Sequence, residues 1–230
     1  MNRRNLLGLL AAAPAVAKTT LPKGFTPLFP NGSLADWESV GDGLWHMQKD
    51  GTLVGERPIT KTDPTVKWRE NEKEYKNWLH TQAWLYTKRN DFGEFDLHLD
   101  YWLRHHGNGG VSIRDTSRGQ YAILTPADTT RTPAKVGYEI QLNNQYPDQY
   151  ISGSIYTFAK AKPGVQVDDE WNTLDIESRN DMIRVRLNGQ LVAEHPGDPK
   201  RSKTGPIGLQ LHDQYSLTMF RNVGIRELKS

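Results

Sequence analysis

The stretch Phe95-Asp-Leu-His-Leu-Asp-Tyr-Trp-Leu103 decides the fold class of this chain. Its large apolar side chains stand at every second position, with mostly polar side chains between them. A strand turns alternate side chains to opposite faces, whereas a helix repeats about every 3.6 residues. The alternation over 95–103 therefore predicts a β-strand with one buried face.

Outward from this stretch, alternation and tight turns recur along the chain. Asp50-Gly51 and Asn188-Gly189 each stand between apolar stretches, where such pairs favour hairpin turns. We predict 111–114 as the hairpin partner of 95–103, and further strands at 137–142, 153–158, 171–178, 182–187, 190–193 and 205–212. Short strands, glycine turns and almost no helical periodicity are typical of a two-sheet sandwich. We predict one all-β domain over 24–228, an antiparallel jelly-roll β-sandwich with a concave polar sheet.

Residues 1–17 have the pattern of a cleavable export signal. Arg3-Arg4 precedes a short apolar run, and Ala15-Val-Ala17 provides small residues for cleavage. The run is shorter than the roughly 20 apolar residues that span a membrane. The paired arginines are similar to a twin-arginine signal. We expect a periplasmic or secreted protein without a membrane anchor.

The charge balance gives no case for binding nucleic acid. The chain has 29 basic and 27 acidic side chains, and 1–17 contains two arginines and no acid. Cleavage therefore leaves 27 side chains of each sign. A chain without excess positive charge lacks the electrostatic attraction that dominates nucleic-acid binding.

Three of the predicted strands have unusual polar faces. Gln210 and His212 lie opposite the apolar side chains of one strand, Glu139 and Gln141 of a second, and Arg114 of a third. Surface strands usually carry Lys, Glu or Thr, whereas the open face of 205–212 carries a glycine, an amide and an imidazole. Such a face suits a sugar or another polar small molecule. If these strands are neighbours, the five side chains converge on one cavity.

An ordered set of motifs covers the whole predicted domain. They are Phe25-Thr-Pro-Leu-Phe-Pro-Asn-Gly-Ser-Leu-Ala-Asp-Trp37, Asn108-Gly-Gly-Val111, Gly137-Tyr-Glu-Ile-Gln141, Gly153-Ser-Ile-Tyr156, Glu170-Trp-Asn-Thr173, Leu187-Asn-Gly189, Gly205–His212 and Phe220-Arg-Asn222. In this order they resemble the 3-keto-disaccharide hydrolase family. The resemblance implies a concanavalin A-like jelly roll and an enzyme that cleaves the glycosidic bonds of 3-keto sugars.

The chain departs from the family pattern at two positions. The family usually has Asn-Ser-Gly-Val where this chain has Asn108-Gly-Gly-Val111, and it often has Asp where this chain has Asn143. The first change removes a hydroxyl near the expected site, and the second removes a charge. A carboxylate-rich metal site is therefore disfavoured. A divalent cation bound through Glu139 and His212 stays open, and no other cofactor is implied.

The implied substrate determines the chemistry that the site needs. A ketone at C3 acidifies the proton on C2, and the glycosidic oxygen on C1 is β to that ketone. Cleavage through an enolate needs a base, an oxyanion stabiliser and an acid. We assign His212 and Glu139 as the acid–base pair and Arg114 to the oxyanion. The alternatives are a Glu139–Arg114 ion pair and a His212 that only hydrogen-bonds a sugar or a loop carbonyl.

The remaining candidates are expected to hold the sugar. Gln141, Gln210 and Asn108 provide hydrogen bonds, and Tyr156 and Trp171 provide rings for stacking. Their alternatives are strand-surface polarity for the glutamines, turn formation for Asn108 and core packing for the aromatics. For the whole chain, the competing function is a non-catalytic, lectin-like carbohydrate-binding module, because one fold serves both purposes.

Overall fold

Two antiparallel β-sheets form the computed structural model of the chain, which describes residues 21–58, 81–124 and 126–228. The export signal predicted for 1–17 lies outside the described residues. Within the described ranges, the helical elements are a 3₁₀ turn at Pro30–Gly32 and the short helix α1 at Pro133–Val136. None of the helices in these ranges is long and apolar enough to cross a membrane.

The strands in chain order are β1 (Thr26–Pro27), β2 (Trp37–Val40), β3 (Leu44–Met47), β4 (Leu53–Glu56), β5 (Ala83–Thr87), β6 (Phe95–Leu103), β7 (Asn108–Ile113), β8 (Tyr138–Asn143), β9 (Asn172–Arg179), β10 (Met182–Leu187), β11 (Gln190–His195), β12 (Ile207–Leu211) and β13 (Leu217–Glu227). The larger sheet has the order β11-β10-β9-β6-β13-β4-β3, and β1 pairs with β13. The smaller sheet has the order β2-β5-β12-β7-β8.

The hydrophobic core lies between the two sheets. The apolar side chains of β6 are almost completely buried there, as their alternation predicts. They form one cluster with Ile207 and Leu209 of β12, Val111 of β7 and Ile140 of β8. Removing this apolar surface from water is the main term that holds the sheets together. The predicted jelly-roll β-sandwich is confirmed.

The turn predictions are confirmed, and two strand predictions are wrong. Asn188-Gly189 joins β10 to β11 with both residues at positive φ, as a two-residue hairpin of this kind requires, and Asp50-Gly51 lies in the turn from β3 to β4. The stretch 111–114 is not the hairpin partner of 95–103, because the chain crosses to the other sheet after β6. The stretch 153–158 forms turns and isolated bridges around Ile155 instead of a strand.

Candidate functional site

The outer face of the smaller sheet carries polar side chains from neighbouring strands, and we call it the polar face. The three strands predicted to be polar are adjacent, in the order β12-β7-β8. Strand register places the residues of the polar face in two rows, one of Tyr86, Gly208, Ser112 and Glu139 and one of Trp84, Gln210, Gly110 and Gln141. Each lies opposite the core side chains of its own strand.

Two glycines make room for the larger side chains of the polar face. A Cβ atom on Gly110 would lie 3.0 Å from Glu139 Oε1 and 3.1 Å from Gln210 Oε1. A Cβ atom on Gly208 would run into the ring of Tyr86. Glycine at these positions therefore allows Glu139 and Gln210 to approach each other across β7, and it allows Tyr86 to lie across β12.

The Glu139 carboxyl is held in an environment that favours its protonated form. The residue is 4% exposed, and the described residues provide it with no hydrogen bond of good geometry. Burial raises the pKa of Glu139 to about 7, although the charge of His212 and the amide of Gln210 act in the opposite direction. A carboxyl with this pKa can donate or accept a proton near neutral pH.

The polar face also contains buried groups that lack hydrogen-bond partners. Among the described residues, neither amide atom of Gln210 has a partner, and neither does Ser112 Oγ. The Gln210 amide is close enough to Glu139 to lower its pKa, but it does not meet the carboxyl with hydrogen-bond geometry. Buried polar groups are normally paired, so unpaired donors beside a buried carboxyl indicate a ligand site.

His212 follows directly after β12 and borders the polar face. Its Nδ1 lies 3.4 Å from Asp213 Oδ2, and its ring meets Tyr146 edge to face at 5.5 Å. Its side chain is 23% exposed. Because its charge lowers the pKa of Glu139, the predicted acid–base pair is in electrostatic contact.

Stacked aromatic rings cover the β5 end of the polar face. The ring centroids of Trp84 and Tyr86 are 5.5 Å apart, and the Tyr86 hydroxyl donates to Asp115 Oδ2 at 2.7 Å. Asp115 also accepts the N–H of Gly119 at 2.8 Å, which ties the loop after β7 to the ring. Sequence reasoning missed this pair, because no strand was predicted over β5, where Trp84 and Tyr86 share one face.

The loop that follows β8 forms an aromatic wall beside the site. The Asn143 amide donates to the carbonyls of Tyr146 (3.1 Å) and Tyr150 (3.3 Å), and its Oδ1 accepts the N–H of Tyr146 (2.8 Å). A carboxylate cannot donate, so the amide suits this position. Tyr156 lies here as well, because its N–H donates to the Glu139 carbonyl and its hydroxyl donates to Asp148 at 3.3 Å. Burial, followed by Asp148, raises the pKa of Tyr156 to about 12.

Gln141 and Asn108 are placed together at the end of the polar face. The Gln141 amide donates to Asn108 Oδ1 at 2.8 Å, and both residues are buried. The Asn108 carbonyl accepts the hydroxyl of Ser216. The hydroxyl lost at Gly109 does not belong to the polar face. A Cβ atom there would point into the core, 3.4 Å from Thr218 Oγ1.

Arg114 does not face the cavity of Glu139 and His212, so that prediction is wrong. Its guanidinium donates to Ser178 Oγ of the other sheet at 2.7 Å and lies 3.7 Å from Asp181. The backbone at Arg114 has φ 58°, which ends the alternation of β7 and turns the side chain away. The alternative ion pair with Glu139 is not formed either.

Trp171 also lies away from the site, which contradicts its predicted stacking role there. It precedes β9 in the larger sheet, and the Arg221 guanidinium lies 4.1 Å over its ring. Both side chains are on the outer face of that sheet, across the sandwich from the polar face. The alternative of core packing is wrong for the same reason.

A buried cation that sequence reasoning missed acts on Asp213, the residue after His212. Arg57 is 4% exposed, its Nη2 lies 2.5 Å from Asp42 Oδ1, and its Nη1 donates to the Thr81 carbonyl at 2.7 Å. Burial acts to raise the pKa of Asp213, but hydrogen bonds from His212 and Tyr215 N–H and the charge of Arg57 keep it below its usual value. No local pattern after β4 signals this arginine.

The described residues do not form a metal site. In the ranges that the structure covers, no three His, Asp or Glu side chains are grouped to hold an ion. Glu139 and His212 are two donors, and the Nδ1 of His212 already faces Asp213. Two such donors fall short of the four to eight that zinc or calcium takes from its surroundings.

Comparison with solved structures identifies other proteins that share this fold. A candidate glycosyl hydrolase from Parabacteroides distasonis is similar, with TM-score 0.61 and 23% identity over 89% of this chain and 99% of that one. A second from the same organism has TM-score 0.61 and 21% identity over 90% and 95%. The carbohydrate-binding module CBM66 of Bacillus subtilis has TM-score 0.52 and 16% identity over 84% and 96%. At these identities the likeness shows a shared fold.

The family assignment rests on the sequence of almost the whole domain. No curated protein matches the chain. A family model, the 3-keto-alpha-glucoside-1,2-lyase-like domain, matches residues 24–226. This match confirms the resemblance drawn from the ordered motifs and supports a carbohydrate-active function. The chain therefore belongs to the 3-keto-alpha-glucoside-1,2-lyase-like family.

Proposed function

We propose that this protein cleaves glycosides whose sugar carries a ketone at C3, by elimination through an enolate followed by hydration. Family membership supports action on carbohydrate. The observation that carries the finer proposal is the buried Glu139 carboxyl, with a pKa of about 7, beside a Gln210 amide that has no partner in the part of the chain that the structure describes. These groups provide an acid and an oxyanion donor on one face of one sheet.

The first step removes the proton on C2. The neighbouring ketone makes this proton acidic, and the His212 imidazole at the border of the polar face accepts it. The electrons of the C2–H bond form a C2=C3 double bond, and the negative charge moves to the ketone oxygen. His212 becomes the imidazolium.

The polar face then stabilises the enolate oxygen. The Gln210 amide N–H and the Ser112 hydroxyl are buried donors without partners among the described residues, so both are free to donate to it. Preorganised donors in a site without water typically account for about 10²–10³-fold in rate per donor. They replace the guanidinium of Arg114, which faces the other sheet.

Glu139 completes the elimination as a general acid. The enolate electrons return to carbonyl form, a C1=C2 double bond forms, and the C1–O bond breaks. Glu139 gives its proton to the departing oxygen. Water then adds to C1 and gives one proton to the Glu139 carboxylate, while C2 receives the proton held by His212, so both groups return to their starting states. The net reaction converts a 3-keto-glycoside and water into a free 3-keto sugar and an alcohol.

A second candidate is a module that binds sugar without cleaving it. It is favoured by the fold shared with the carbohydrate-binding module CBM66. Binding alone does not need a buried carboxyl whose burial raises its pKa, because such a group costs stability. The raised pKa of Glu139 therefore favours the enzyme.

One assay separates the two candidates. The purified protein is incubated with a 3-keto-disaccharide and, in parallel, with the same disaccharide carrying a hydroxyl at C3, and release of free sugar is followed. We expect release from the keto substrate alone, and none from the Glu139→Gln variant. Binding without release would favour the module, and equal cleavage of both sugars would refute the enolate route.

We also propose that the protein acts outside the cytoplasm. The pattern of residues 1–17 supports this. Cell fractionation tests it, since the full chain expressed in a Gram-negative host should be recovered from the periplasm or medium without residues 1–17. An uncleaved chain in the cytosol would contradict the proposal.

A further inference from the structure

We propose that Asp213 is a positioning residue, which holds the His212 imidazole with its proton on Nδ1 and leaves the Nε2 lone pair free to act as the base. The importance of this orientation rests on the proposed function. The orientation itself is a property of the protein that can be measured without substrate.

The turn between β12 and β13 fixes the Asp213 carboxylate. Its Oδ2 lies 3.4 Å from His212 Nδ1, and its Oδ1 accepts the N–H of Tyr215 at 2.8 Å. The backbone N–H of Asp213 donates to Ser216 Oγ at 3.1 Å, and this hydroxyl in turn donates to the Asn108 carbonyl at 3.0 Å. The turn therefore holds both the carboxylate and the main chain of Asp213, and Ser216 links the turn to β7.

The surroundings also keep this carboxylate ionised. Asp213 is 7% exposed, and burial by itself acts against its charge. The hydrogen bonds from His212 and from the Tyr215 N–H oppose that effect most, and the charge of Arg57 adds to them. Arg57 is itself anchored by Asp42 at 2.5 Å and the Thr81 carbonyl at 2.7 Å. Gln214 donates to Thr81 Oγ1 at 3.3 Å, so the turn and the arginine meet at one residue.

An ionised carboxylate determines which nitrogen of the neighbouring ring carries the proton. It can only accept, so the Nδ1 that faces it must be the donor. A neutral imidazole has one N–H, and Nε2 is then left with its lone pair. No described residue hydrogen-bonds Nε2. The Tyr146 ring, edge to face at 5.5 Å, contacts the imidazole from the side.

The chain contains a matched His–Asp pair away from the site. His98 Nδ1 lies 2.7 Å from Asp175 Oδ1, on the outer face of the larger sheet. Replacing either aspartate with asparagine puts an amide that can donate in place of an oxygen that can only accept. Each exchange is expected to move the proton of its own histidine from Nδ1 to Nε2.

The experiment compares the purified protein with Asp213→Asn and Asp175→Asn. Long-range ¹H–¹⁵N NMR on histidine-labelled protein reads which ring nitrogen carries the proton. We expect Nδ1–H at His212 in the unsubstituted protein and Nε2–H in Asp213→Asn, while Asp175→Asn changes His98 alone. On a 3-keto-disaccharide, Asp213→Asn should lose roughly 10²–10⁴-fold in kcat with little change in KM, and Asp175→Asn should lose nothing.

The outcomes separate this inference from the proposed function. A proton on Nε2 of His212 in the unsubstituted protein overturns the inference. The spectrum of the unsubstituted protein therefore tests the inference even if Asp213→Asn does not fold. A proton that stays on Nδ1 in Asp213→Asn overturns it as well. If the tautomer changes as expected but the unsubstituted protein cleaves no 3-keto-disaccharide, the proposed function fails while the positioning role of Asp213 stands.

Discussion

The substitution Glu139→Gln should make the protein more stable at alkaline pH. Burial raises the pKa of Glu139 from 4.5 to about 7, so between these values the folded chain holds a proton that the unfolded chain has released. The free energy of unfolding therefore falls as pH rises through this window. A shift of this size corresponds to about 3 kcal/mol once the pH exceeds the folded pKa. Glutamine has the same shape and no charge, so the variant avoids this loss.

The assay is urea unfolding of both proteins at about pH 4 and about pH 8. We expect Glu139→Gln to gain about 3 kcal/mol over the unsubstituted protein between these two conditions. Titration of all other groups contributes nearly equally to both proteins and cancels in the comparison. Glu194→Gln is the matched control, because this residue lies exposed on β11, where it pairs with Arg184. Its difference should stay within about 0.5 kcal/mol at both conditions.

A difference that does not change with pH would refute the reasoning. It would mean that the Glu139 carboxyl ionises as easily in the folded chain as in the unfolded one. That result would also refute the assignment of Glu139 as the general acid. If the expected gain appears, the same variant should be inactive, which would show that the stability lost to this carboxyl is tied to function.

Three further predictions concern positions around the site. Gly109→Ser puts a Cβ atom 3.1 Å from the Gln210 carbonyl oxygen in the core and should lower the free energy of unfolding by about 1–3 kcal/mol, and urea unfolding that shows no loss would contradict the placement of this position in the core. Gly110→Ala puts a methyl 3.0 Å from Glu139 Oε1 and should lower kcat/KM by roughly 10²-fold with an unchanged circular dichroism spectrum; full activity would argue against this site. Trp171→Ala should leave KM for a 3-keto-disaccharide unchanged, since its ring lies under Arg221 on the opposite sheet, and a large rise in KM would show that the substrate reaches that face.

Side-chain alternation made part of the site predictable. Within a continuous strand, the alternation of side chains alone places Glu139, Gln141 and Gln210 opposite the core side chains. The structure has these three residues on one face of the smaller sheet. The alternation no longer holds where the backbone leaves the strand, as the positive φ of Arg114 shows. One residue past the last regular position, the rule no longer gives the direction of a side chain.

Other features depend on contacts that no local pattern contains. The sheet that β9 joins determines where Trp171 lies, and alternation says nothing about which strands pair. Arg57 acts on Asp213 across a large part of the sequence, and nothing near either residue indicates the other. The family resemblance contributed the reaction class, which neither periodicity nor composition could supply.

The attachment of the loop after β8 has a consequence for how this protein could diversify. Asn143 binds the main chain of Tyr146 and Tyr150 and leaves their side chains out of the anchor. Exchanging these tyrosines for other residues therefore keeps the loop in place and leaves Glu139 and Gln210 undisturbed. The Tyr146 ring contacts His212, whereas the Tyr150 ring contacts Tyr156 in the wall itself. Position 150 is therefore the natural target for redesigning which leaving groups the proposed reaction accepts.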